Sequence, residues 1–516
     1  MAVLPSYNIS IAAALAVGVL LSYFLGLAIY NLYFHPLARF PGPKLTAATK
    51  LYEFYHDVVR GGQFYKEIQR MHARYGPIVR INPDEIHVND ASYYETLYAG
   101  GSQKRDKYVW FTNAGDSPTS AFATQHHDLH RIRRGALNPF FSKASVSKLE
   151  PMLRAKADDI CRIMMLNKKH DRVFEFGAAY MSFALDTVTH YAFGKAGCWG
   201  CLDGDEFSAD WKEAIIKAFE NATLIRYIPW MTKVLRQIPH EWIGCVHRPM
   251  GMFFKSAWLI TKTVDDFFAS EADVKSGALA EETIFSSLRG GKLPDSEKTR
   301  KRLLDEGTIL VVAGGEAITQ LLTIVSYFLC DNPHILKRLQ QELETAFPEG
   351  GHEVTWDKAQ NLPYLTAVIQ EGLRISAIVT TRLPRISPDE ALMYGDHVIP
   401  SGTPVSMTSH FIHLDPAIWP DPFKFEPERW TPDATPGVAK GQKQFLVPFS
   451  RGTRGCLGIN LAYAQAYLVI AKVFRRFEFD LYETDRRDVT IVRDCFNGQP
   501  YVGSKGVRAR VTRILE

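Results

Sequence analysis

The residues FSRGTRGCLG, numbered 449–458, decide the fold of this chain. A single cysteine, Cys456, lies in a glycine-rich loop, and an apolar pattern typical of a helix begins directly after it. Glycines leave little side-chain bulk, so a flat ligand could approach the backbone. The N-terminus of the following helix would favour a thiolate at Cys456, and Arg454 can hydrogen-bond a carboxylate. These residues alone leave two interpretations open, a ligand-binding loop and a buried cysteine in front of a packed helix.

The spacing Phe-x-x-Gly-x-Arg-x-Cys-x-Gly is far more specific than its separate residues. It resembles the haem-binding loop of the cytochrome P450 superfamily at every fixed position. The resemblance implies that Cys456 is the axial thiolate ligand of the iron in haem b. It also implies that Arg454 pairs with a haem propionate, and that Phe449 and Gly458 belong to the cofactor-binding loop. A thiolate ligand donates electron density to the iron and favours O–O cleavage.

Composition excludes some classes of protein. The chain has 516 residues, of which 46% are hydrophobic, and this length alone would suggest several domains. The net charge of +4, from 60 basic and 56 acidic residues, argues against a nucleic-acid partner. The seven cysteines are too few and too scattered for a disulfide framework. Cys198 and Cys201 form a CxxC without a second pair or a histidine cluster, which indicates structural thiols.

The N-terminal sequence predicts a membrane anchor. Residues 9–30 are almost wholly apolar and uncharged, and roughly 20 such residues span a bilayer. A signal peptide and a buried helix are the alternatives, but the run is long and lacks a basic n-region. Basic residues appear only after the span, so we expect a single-pass protein of the endoplasmic reticulum membrane whose body faces the cytosol. Residues 1–8, with a sequon at Asn8, would form a short lumenal N-terminus.

Residues 31–44 contain three prolines and predict a stiff hinge between the anchor and the globular part. The segment resembles the proline-rich hinge of membrane-bound fungal members of the family. Local patterns further predict a helix at about 62–75, strands near 78–81 and 85–88, helices over 145–270, a connector at 275–300 and a polar loop at 431–444. The aromatic residues 225–231 are typical of a core, although the corresponding family region lies by the membrane.

A basic segment runs from His126 to Phe141. On a helix, His130 and Arg134 are four residues apart and share a face. Spacing alone favours a solvated basic helix. The family resemblance instead implies that His130 and Arg134 hold the haem propionates. It leaves a second set of basic residues for docking an NADPH-dependent flavoprotein reductase on the thiolate side, namely Arg131, Arg133, Lys443 and Arg451.

Residues 311–319, VVAGGEAIT, lie inside a long predicted helix. Glycine in a helix costs about 1 kcal/mol relative to alanine, so this stretch indicates a kink, a close ligand approach or a functional acid. It resembles the oxygen-binding groove of the family, with Glu316 as the acid that supplies protons. The two usual threonines are replaced by Ala317 and Ile318.

Thr319 is the nearest hydroxyl that could replace the missing threonine. Two residues rotate a helix by roughly 200°, so Thr319 should face away from Ala317 and bond back to a carbonyl one turn earlier. We therefore expect either Thr319 or, more in keeping with this geometry, a polar group of the substrate to complete proton delivery from Glu316.

Glu371 and Arg374 form an i,i+3 pair on a predicted helix, a weak signal because such pairs are common on surfaces. With the later residues 425–430, FEPERW, they resemble the Glu-x-x-Arg and Pro-Glu-Arg-aromatic elements of the family. The resemblance implies a network of Glu371, Arg374 and Arg429 that braces the haem loop. It also implies that Arg385 reaches the second propionate and that residues 378–381 line the pocket.

The sequence therefore predicts one membrane helix followed by a single, mainly α domain with a small β region (α+β), residues 45–516. The resemblance implies a haem-thiolate monooxygenase that acts on a lipophilic secondary metabolite, as in fungal pathways to terpenoids or polyketides, with NADPH as electron source. Two alternatives remain open at this point. One is a haem-thiolate rearrangement or dehydration catalyst that needs no reductase, and the other is a non-catalytic haem- or lipid-binding membrane protein.

Overall fold

The structure is a computed structural model, and it describes residues 6–269, 283–291, 293–431 and 441–515. Helices dominate and strands are short, as the sequence predicts. The helices of the N-terminal half are α1 Ser6–Ile29, α2 Lys44–Ala48, α3 Leu51–Phe54, α4 Phe64–Tyr75, α5 Tyr94–Leu97, α6 Val109–Thr112, α7 His127–Leu137, α8 Lys143–Lys148, α9 Glu150–Lys169, α10 Phe176–Phe193, α11 Asp210–Tyr227, α12 Trp230–Leu235, α13 His240–Val246 and α14 Arg248–Ala269. The later helices are α15 Ile284–Gly290, α16 Arg300–Asp331, α17 Pro333–Ala346, α18 Trp356–Ala359, α19 Pro363–Ile375, α20 Ser409–His413 and α21 Ile459–Arg476.

The strands form small sheets beside the helical core. They are β1 Ile78–Arg80, β2 Ile86–Val88, β3 Asp106–Lys107, β4 Phe174–Glu175, β5 Arg385–Ile386, β6 Leu392–Tyr394, β7 His397–Ile399, β8 Pro404–Ser406, β9 Phe477–Leu481, β10 Arg493–Cys495, β11 Asn497–Gln499 and β12 Arg508–Ile514. The largest sheet has the order β1-β2-β8-β5-β3, and only β2 and β8 pair in parallel. This sheet brings the middle of the chain next to its N-terminal part.

The anchor helix extends from the rest of the molecule. Residues Ile11–Phe34 form a candidate membrane span, which is exposed over most of its length, and its last five residues form a π-helical turn in which only Asn31 is buried. The proline-rich segment that follows packs closely on the protein, because Leu37 and Phe40 are buried in the cluster around the largest sheet. A second helix, α16, is also long and apolar enough to span a membrane, but more than half of it is buried and it contributes to the largest hydrophobic cluster.

Helix α16 runs without a break through the two glycines at its centre. A Cβ atom on Gly314 would lie 2.9 Å from Cγ2 of Val188, and one on Gly315 would lie 3.2 Å from Cδ2 of Leu185. Both neighbours belong to α10. The glycines therefore allow α10 and α16 to pack closely, a role that the sequence analysis did not predict, and the helix is unbroken there.

One local prediction needs correction. The segment 275–300 was expected to be a connector, but its described part contains α15, whose start is capped by the Thr283 side chain. Residues 270–282 lie outside the described residues, as do 432–440 of the predicted polar loop. The predicted helix and strands between residues 62 and 88 are confirmed as α4, β1 and β2. Cys198 and Cys201 lie in a loop held by the buried Asp186 carboxylate, which accepts a hydrogen bond from the Cys201 amide at 2.7 Å.

Candidate active site

The loop before α21 is closed by its own backbone. The Cys456 amide donates to the Phe449 carbonyl at 2.8 Å. Gly452 has a φ of +69°, and a Cβ atom there would lie 2.1 Å from the Ala99 carbonyl oxygen, so this glycine is required by the fold. At Gly458 a Cβ atom would meet nothing within 4 Å. The protein therefore leaves open space on the Gly458 side of the loop, as a flat ligand requires.

The Cys456 side chain is accessible to a water-sized probe. Surrounding protein nevertheless raises the pKa of its thiol by desolvation, opposed by a backbone hydrogen bond from Gly458 and by the charge of Arg134. A side chain that lines an interior cleft can be exposed and at the same time desolvated by the protein around it. Arg134 lies against this loop, donating to the carbonyls of Gly455 and Cys456, the latter at 3.3 Å.

A cluster of cations surrounds the loop. Its members are Lys107, Arg134, Arg385 and Arg454, and none of them forms an ion pair with a carboxylate of the described residues. Their visible partners are neutral: Arg385, for example, donates to the Pro384 carbonyl at 3.0 Å and lies over the Tyr98 ring. Burial, together with the nearby charge of Arg385, lowers the pKa of Arg454 to about 9. Uncompensated buried cations are costly, so this cluster fits an anionic ligand.

His130 adds a polar group to the same cluster. It is buried in α7, and its Nδ1 atom has no hydrogen-bond partner among the residues described. Burial and the nearby charges of Arg454, Lys107 and Arg134 lower the pKa of His130 to about 2, so it is neutral. The residues that family resemblance assigned to the propionates, together with Lys107, therefore fit a haem with its two carboxylates.

Lys107 is the member that the sequence analysis missed. It belongs to no motif, and its position beside Arg385 comes from the antiparallel pairing of β3 with β5, in which these two residues are directly opposed. The Lys107 amino group donates to the Phe122 backbone carbonyl and lies 3.6 Å from the centroid of the Phe122 ring. Only the strand register reveals it, because 278 positions of sequence separate the pair.

One face of helix α16 carries small residues and is less buried than the rest of the helix. Ala313 is exposed and Ala317, one turn later, is half-buried, whereas Glu316 and Thr319 are buried. The Glu316 Oε1 atom accepts from Gln499 at 3.4 Å, and its Oε2 atom has no partner in the described structure. Burial raises the pKa of Glu316 to about 7, while Lys212 and Gln499 oppose that rise. Glu316 can therefore exchange a proton near neutral pH.

Thr319 points away from that face. Its hydroxyl donates to the Gly315 carbonyl at 2.7 Å and contacts the Met181 sulfur of α10 at 3.9 Å. The predicted bond back to a carbonyl one turn earlier is confirmed. The structure thus does not bring the Thr319 hydroxyl to the side of α16 that carries Ala313 and Ala317.

The predicted network behind the loop is fully buried. The Arg374 Nη2 and Nε atoms lie 2.7 and 2.9 Å from the two carboxylate oxygens of Glu371. Arg429 approaches Glu371 at 3.4 Å, and the Trp430 indole donates to it at 2.9 Å. Arg374 also donates to three backbone carbonyls, those of His413, Pro422 and Lys424. These contacts hold the chain that leads into the cysteine loop.

Comparison with known proteins agrees with this geometry. A family model described as Cytochrome P450 matches residues 44–493. The chain belongs to the cytochrome P450 family. A P450 carries a haem iron, so the family supplies the anionic cofactor that the cation cluster fits.

Curated relatives of this P450 are fungal enzymes. Tryptophan 6-hydroxylase fscE of Fusarium equiseti is 40% identical over 487 residues, covering 94% of each chain. The monooxygenase TRI4 of Trichoderma arundinaceum is 37% identical, covering 95% of this chain and 93% of its own. Conidiogenone synthase PchP450 of Penicillium rubens is 36% identical, covering 96% and 98%. The chain is therefore a P450 monooxygenase of the fungal secondary-metabolism group.

Four phenylalanine rings form an aromatic wall that the sequence analysis did not find. Its centre is Phe496, which has a φ of +76° in the turn between β10 and β11. The Phe496 ring contacts three other phenylalanines at centroid distances of 5.8 to 6.2 Å, those of Phe111, Phe122 and Phe219. The turn is held by Thr380, whose amide donates to the Phe496 carbonyl. These rings come from distant segments, so no local pattern could reveal the wall.

Proposed function

We propose that this P450 inserts one oxygen atom from O2 into a lipophilic secondary metabolite of terpenoid or polyketide type, using electrons from NADPH through a flavoprotein reductase. The observation that carries the proposal is the match at residues 449–458, set among four cations that form no ion pair with a carboxylate of the described residues; Lys107, Arg385 and Arg454 are buried and Arg134 is half-buried. Cys456 would bind the iron of haem b. Arg454, Arg385, Arg134, His130 and Lys107 would hold its propionates, and Gly458 would leave room for the ring.

When bound, the haem supplies the activation of O2, to which a thiolate ligand contributes electron density. The chain's own residues orient the substrate, exclude water and move protons. The phenylalanine wall around Phe496 suits an apolar skeleton and excludes water from the reaction. Glu316, buried and able to titrate near neutral pH, holds and releases protons beside the exposed Ala313 face.

The test is product formation with labelled oxygen. The full-length protein, reconstituted with a P450 reductase and NADPH, should transfer one atom from 18O2 to a metabolite that accumulates in a deletion strain. A rearrangement or dehydration catalyst would form its product without consuming NADPH. Because one relative is named a tryptophan 6-hydroxylase, L-tryptophan belongs in the same assay as the second candidate substrate. Its hydroxylation in preference to the metabolite would replace the proposed substrate class.

Proton delivery at Ala317 gives the first prediction for this P450. The Thr319 hydroxyl is already bonded to Gly315, so Thr319→Ala should leave the ratio of product formed to NADPH consumed nearly unchanged. We infer that a substrate hydroxyl or carbonyl, or a water that it orders, completes the path from Glu316. A deoxygenated substrate analogue should therefore consume NADPH without yielding product, and the ratio is measured for both compounds.

Ala317→Thr is the matched variant for this prediction. If the missing hydroxyl alone explains the loss of product with the deoxygenated analogue, Ala317→Thr should restore coupling, that is, the ratio of product formed to NADPH consumed. The idea fails if the analogue couples as well as the native substrate in the wild type. It fails equally if Thr319→Ala alone uncouples the enzyme, because the role would then belong to the protein.

Membrane attachment gives the second prediction. Beyond the anchor, exposed apolar side chains cluster on α12 and α13, including Trp230, Val234 and Trp242. The end of α11 that leads into them packs against the region after the anchor, where the Phe54 and Tyr227 rings lie 5.0 Å apart. We propose that the exposed apolar surface of α12 and α13 and the region directly after the anchor both contact the cytosolic leaflet of the endoplasmic reticulum membrane. Protease added to intact microsomes should digest the domain, and full protection would place it in the lumen.

Reductase docking gives the third prediction, after one correction. Arg133 was expected on the docking surface, but it is buried and forms a bidentate ion pair with Glu297 at 2.6 and 2.9 Å. Arg131 and Lys443 are exposed, and Arg451 pairs with Glu95. Arg131→Glu should slow reduction by the reductase severalfold at low salt, with the loss shrinking at high salt because screening weakens exposed charges.

Arg133→Glu is the matched comparison on the same helix. It should destabilise the fold by leaving Glu297 beside a second carboxylate, with no particular salt dependence of the reduction rate. Stopped-flow reduction at two salt concentrations separates the two variants. Unchanged kinetics of Arg131→Glu at low salt would remove this residue from the docking surface.

A further inference from the structure

Outside the cation cluster around the cysteine loop, the buried guanidinium of Arg226 also has no anionic partner among the residues that the structure describes. Arg226 lies in the last turn of α11 and is only 3% exposed. Its Nε and Nη2 atoms have no hydrogen-bond partner in the described structure, and within the same residues it forms no ion pair. Removing a charged group from water without a partner is costly, so a fold keeps such a group only for a reason.

The neighbours of Arg226 place it beside the aromatic wall. Its guanidinium carbon lies 4.8 Å from the ring centroid of Phe111 and 5.7 Å from that of Trp110. Phe111 in turn contacts Phe496, the centre of the wall. The Arg226 guanidinium therefore lies next to the same group of rings that the proposed function assigns to the apolar part of the substrate.

A second polar group without a partner lies next to it. The Tyr227 hydroxyl is buried and makes no hydrogen bond to any described residue. Its ring packs edge-on against Trp110, at a centroid distance of 5.5 Å. Two adjacent side chains at the end of α11 thus carry hydrogen-bonding capacity that the described protein does not use.

The nearest acids do not neutralise Arg226. Asp494 interacts with it electrostatically, but its carboxylate already accepts from the Thr380 hydroxyl at 2.8 Å and the Phe496 amide at 3.0 Å. Burial, followed by the charge of Glu53, raises the pKa of Asp57 to about 8, so Asp57 is largely protonated at neutral pH. By contrast, Arg382 in the same region pairs directly with Glu53 and with Glu85, the latter at 2.8 Å.

We propose that Arg226, with Tyr227, hydrogen-bonds a neutral oxygen acceptor of the substrate, a carbonyl or hydroxyl group, at the α11 side of the aromatic wall. This specificity role rests on the proposed function and names a feature of its substrate. A neutral acceptor suits the site better than a carboxylate, because a substrate carboxylate would be repelled by Asp494, which interacts electrostatically with Arg226, and by Glu53, which acts on the neighbouring Asp57. The apolar remainder of the substrate would contact Phe111 and Phe496.

The first test needs no ligand. In the holoenzyme, Arg226→Met removes an unpaired buried charge while keeping an unbranched apolar stem, and should raise the Tm by roughly 1–4 °C. Arg382→Met is the matched control, since it breaks a direct ion pair and should lower the Tm. A fall in the Tm of Arg226→Met would show that Arg226 stabilises the fold through water or protein contacts, and would overturn the proposal.

The second test uses a matched pair of probes, the sesquiterpene valencene and its ketone nootkatone. Binding is followed by the spin-state shift of the Soret band. The wild type should bind the ketone roughly 10–100-fold more tightly, as a hydrogen bond from a charged donor predicts. Arg226→Met should abolish that preference, Arg226→Lys should retain part of it, and Tyr227→Phe should reduce it.

The outcomes that contradict the proposal are distinct. Equal binding of the two probes by the wild type, or no response to either, overturns the acceptor role. Tighter binding of L-tryptophan than of nootkatone, lost in Arg226→Met, overturns the neutral class in favour of a carboxylate. Failure of the proposed function is read separately, from the carbon-monoxide spectrum of the reduced wild type and from 18O incorporation, neither of which depends on these probes.

Discussion

Replacing Cys456 by serine should abolish turnover and remove the thiolate-type Soret band of the reduced carbon-monoxide complex. The reason is electronic: a serine oxygen in the same place does not donate electron density to the iron as a thiolate does. The structure makes this substitution interpretable. Cys456 is held by the hydrogen bond that its amide donates to the Phe449 carbonyl, and its side chain is exposed, so one atom changes in an otherwise fixed loop.

A second cysteine provides the control. Cys495 is a free, buried thiol in β10, and Cys495→Ser should keep the band and the activity. Any loss in that variant should appear as lowered stability, because a hydroxyl replaces a buried sulfur. Retention of the thiolate-type band by Cys456→Ser would show that another ligand binds the iron, and the assignment of the whole site would be wrong.

Arg374→Met should destabilise the fold by about 3–5 kcal/mol, the cost of leaving a buried charge without its partner. Glu371 would lose two hydrogen bonds from the guanidinium while remaining buried. The three carbonyls that Arg374 holds, those of His413, Pro422 and Lys424, would be released as well. Because that segment leads to the cysteine loop, haem retention should fall together with the urea midpoint of unfolding.

An exposed pair on the neighbouring helix is the control for this prediction. Arg338 of α17 lies 3.2 Å from Glu428, and both side chains are about half exposed. Solvent screens such a pair, so Arg338→Met should change the free energy of unfolding by less than about 1 kcal/mol. Similar losses in the two variants would mean that the buried network does not carry the stability assigned to it.

These predictions rest on features that differ in how far local sequence could reveal them. The Glu371–Arg374 pair was visible as an i,i+3 spacing, which helix geometry alone turns into a contact. Its burial was not visible, because that depends on chain segments some 40 to 60 residues away. Spacing alone predicted the same exposed role for Arg131 and Arg133. Only the tertiary structure shows that Arg133 is buried in an ion pair with Glu297, which lies in a distant turn.

Sequence by itself determined the parts of this protein that depend on neighbouring residues. The cysteine loop, the uncharged anchor, the rotation of Thr319 away from Ala317 and the order of helices and strands follow from local chemistry and backbone geometry. A family resemblance built on motifs therefore led to the correct family.

Tertiary structure alone decided what depends on residues far apart in the chain. Strand register placed Lys107 opposite Arg385, packing against α10 explained Gly314, and four separate segments built the wall around Phe496. The unpaired state of Arg226 is of the same kind. Burial and electrostatic environment are sums over everything that folding brings close, and a linear pattern of residues does not contain those sums.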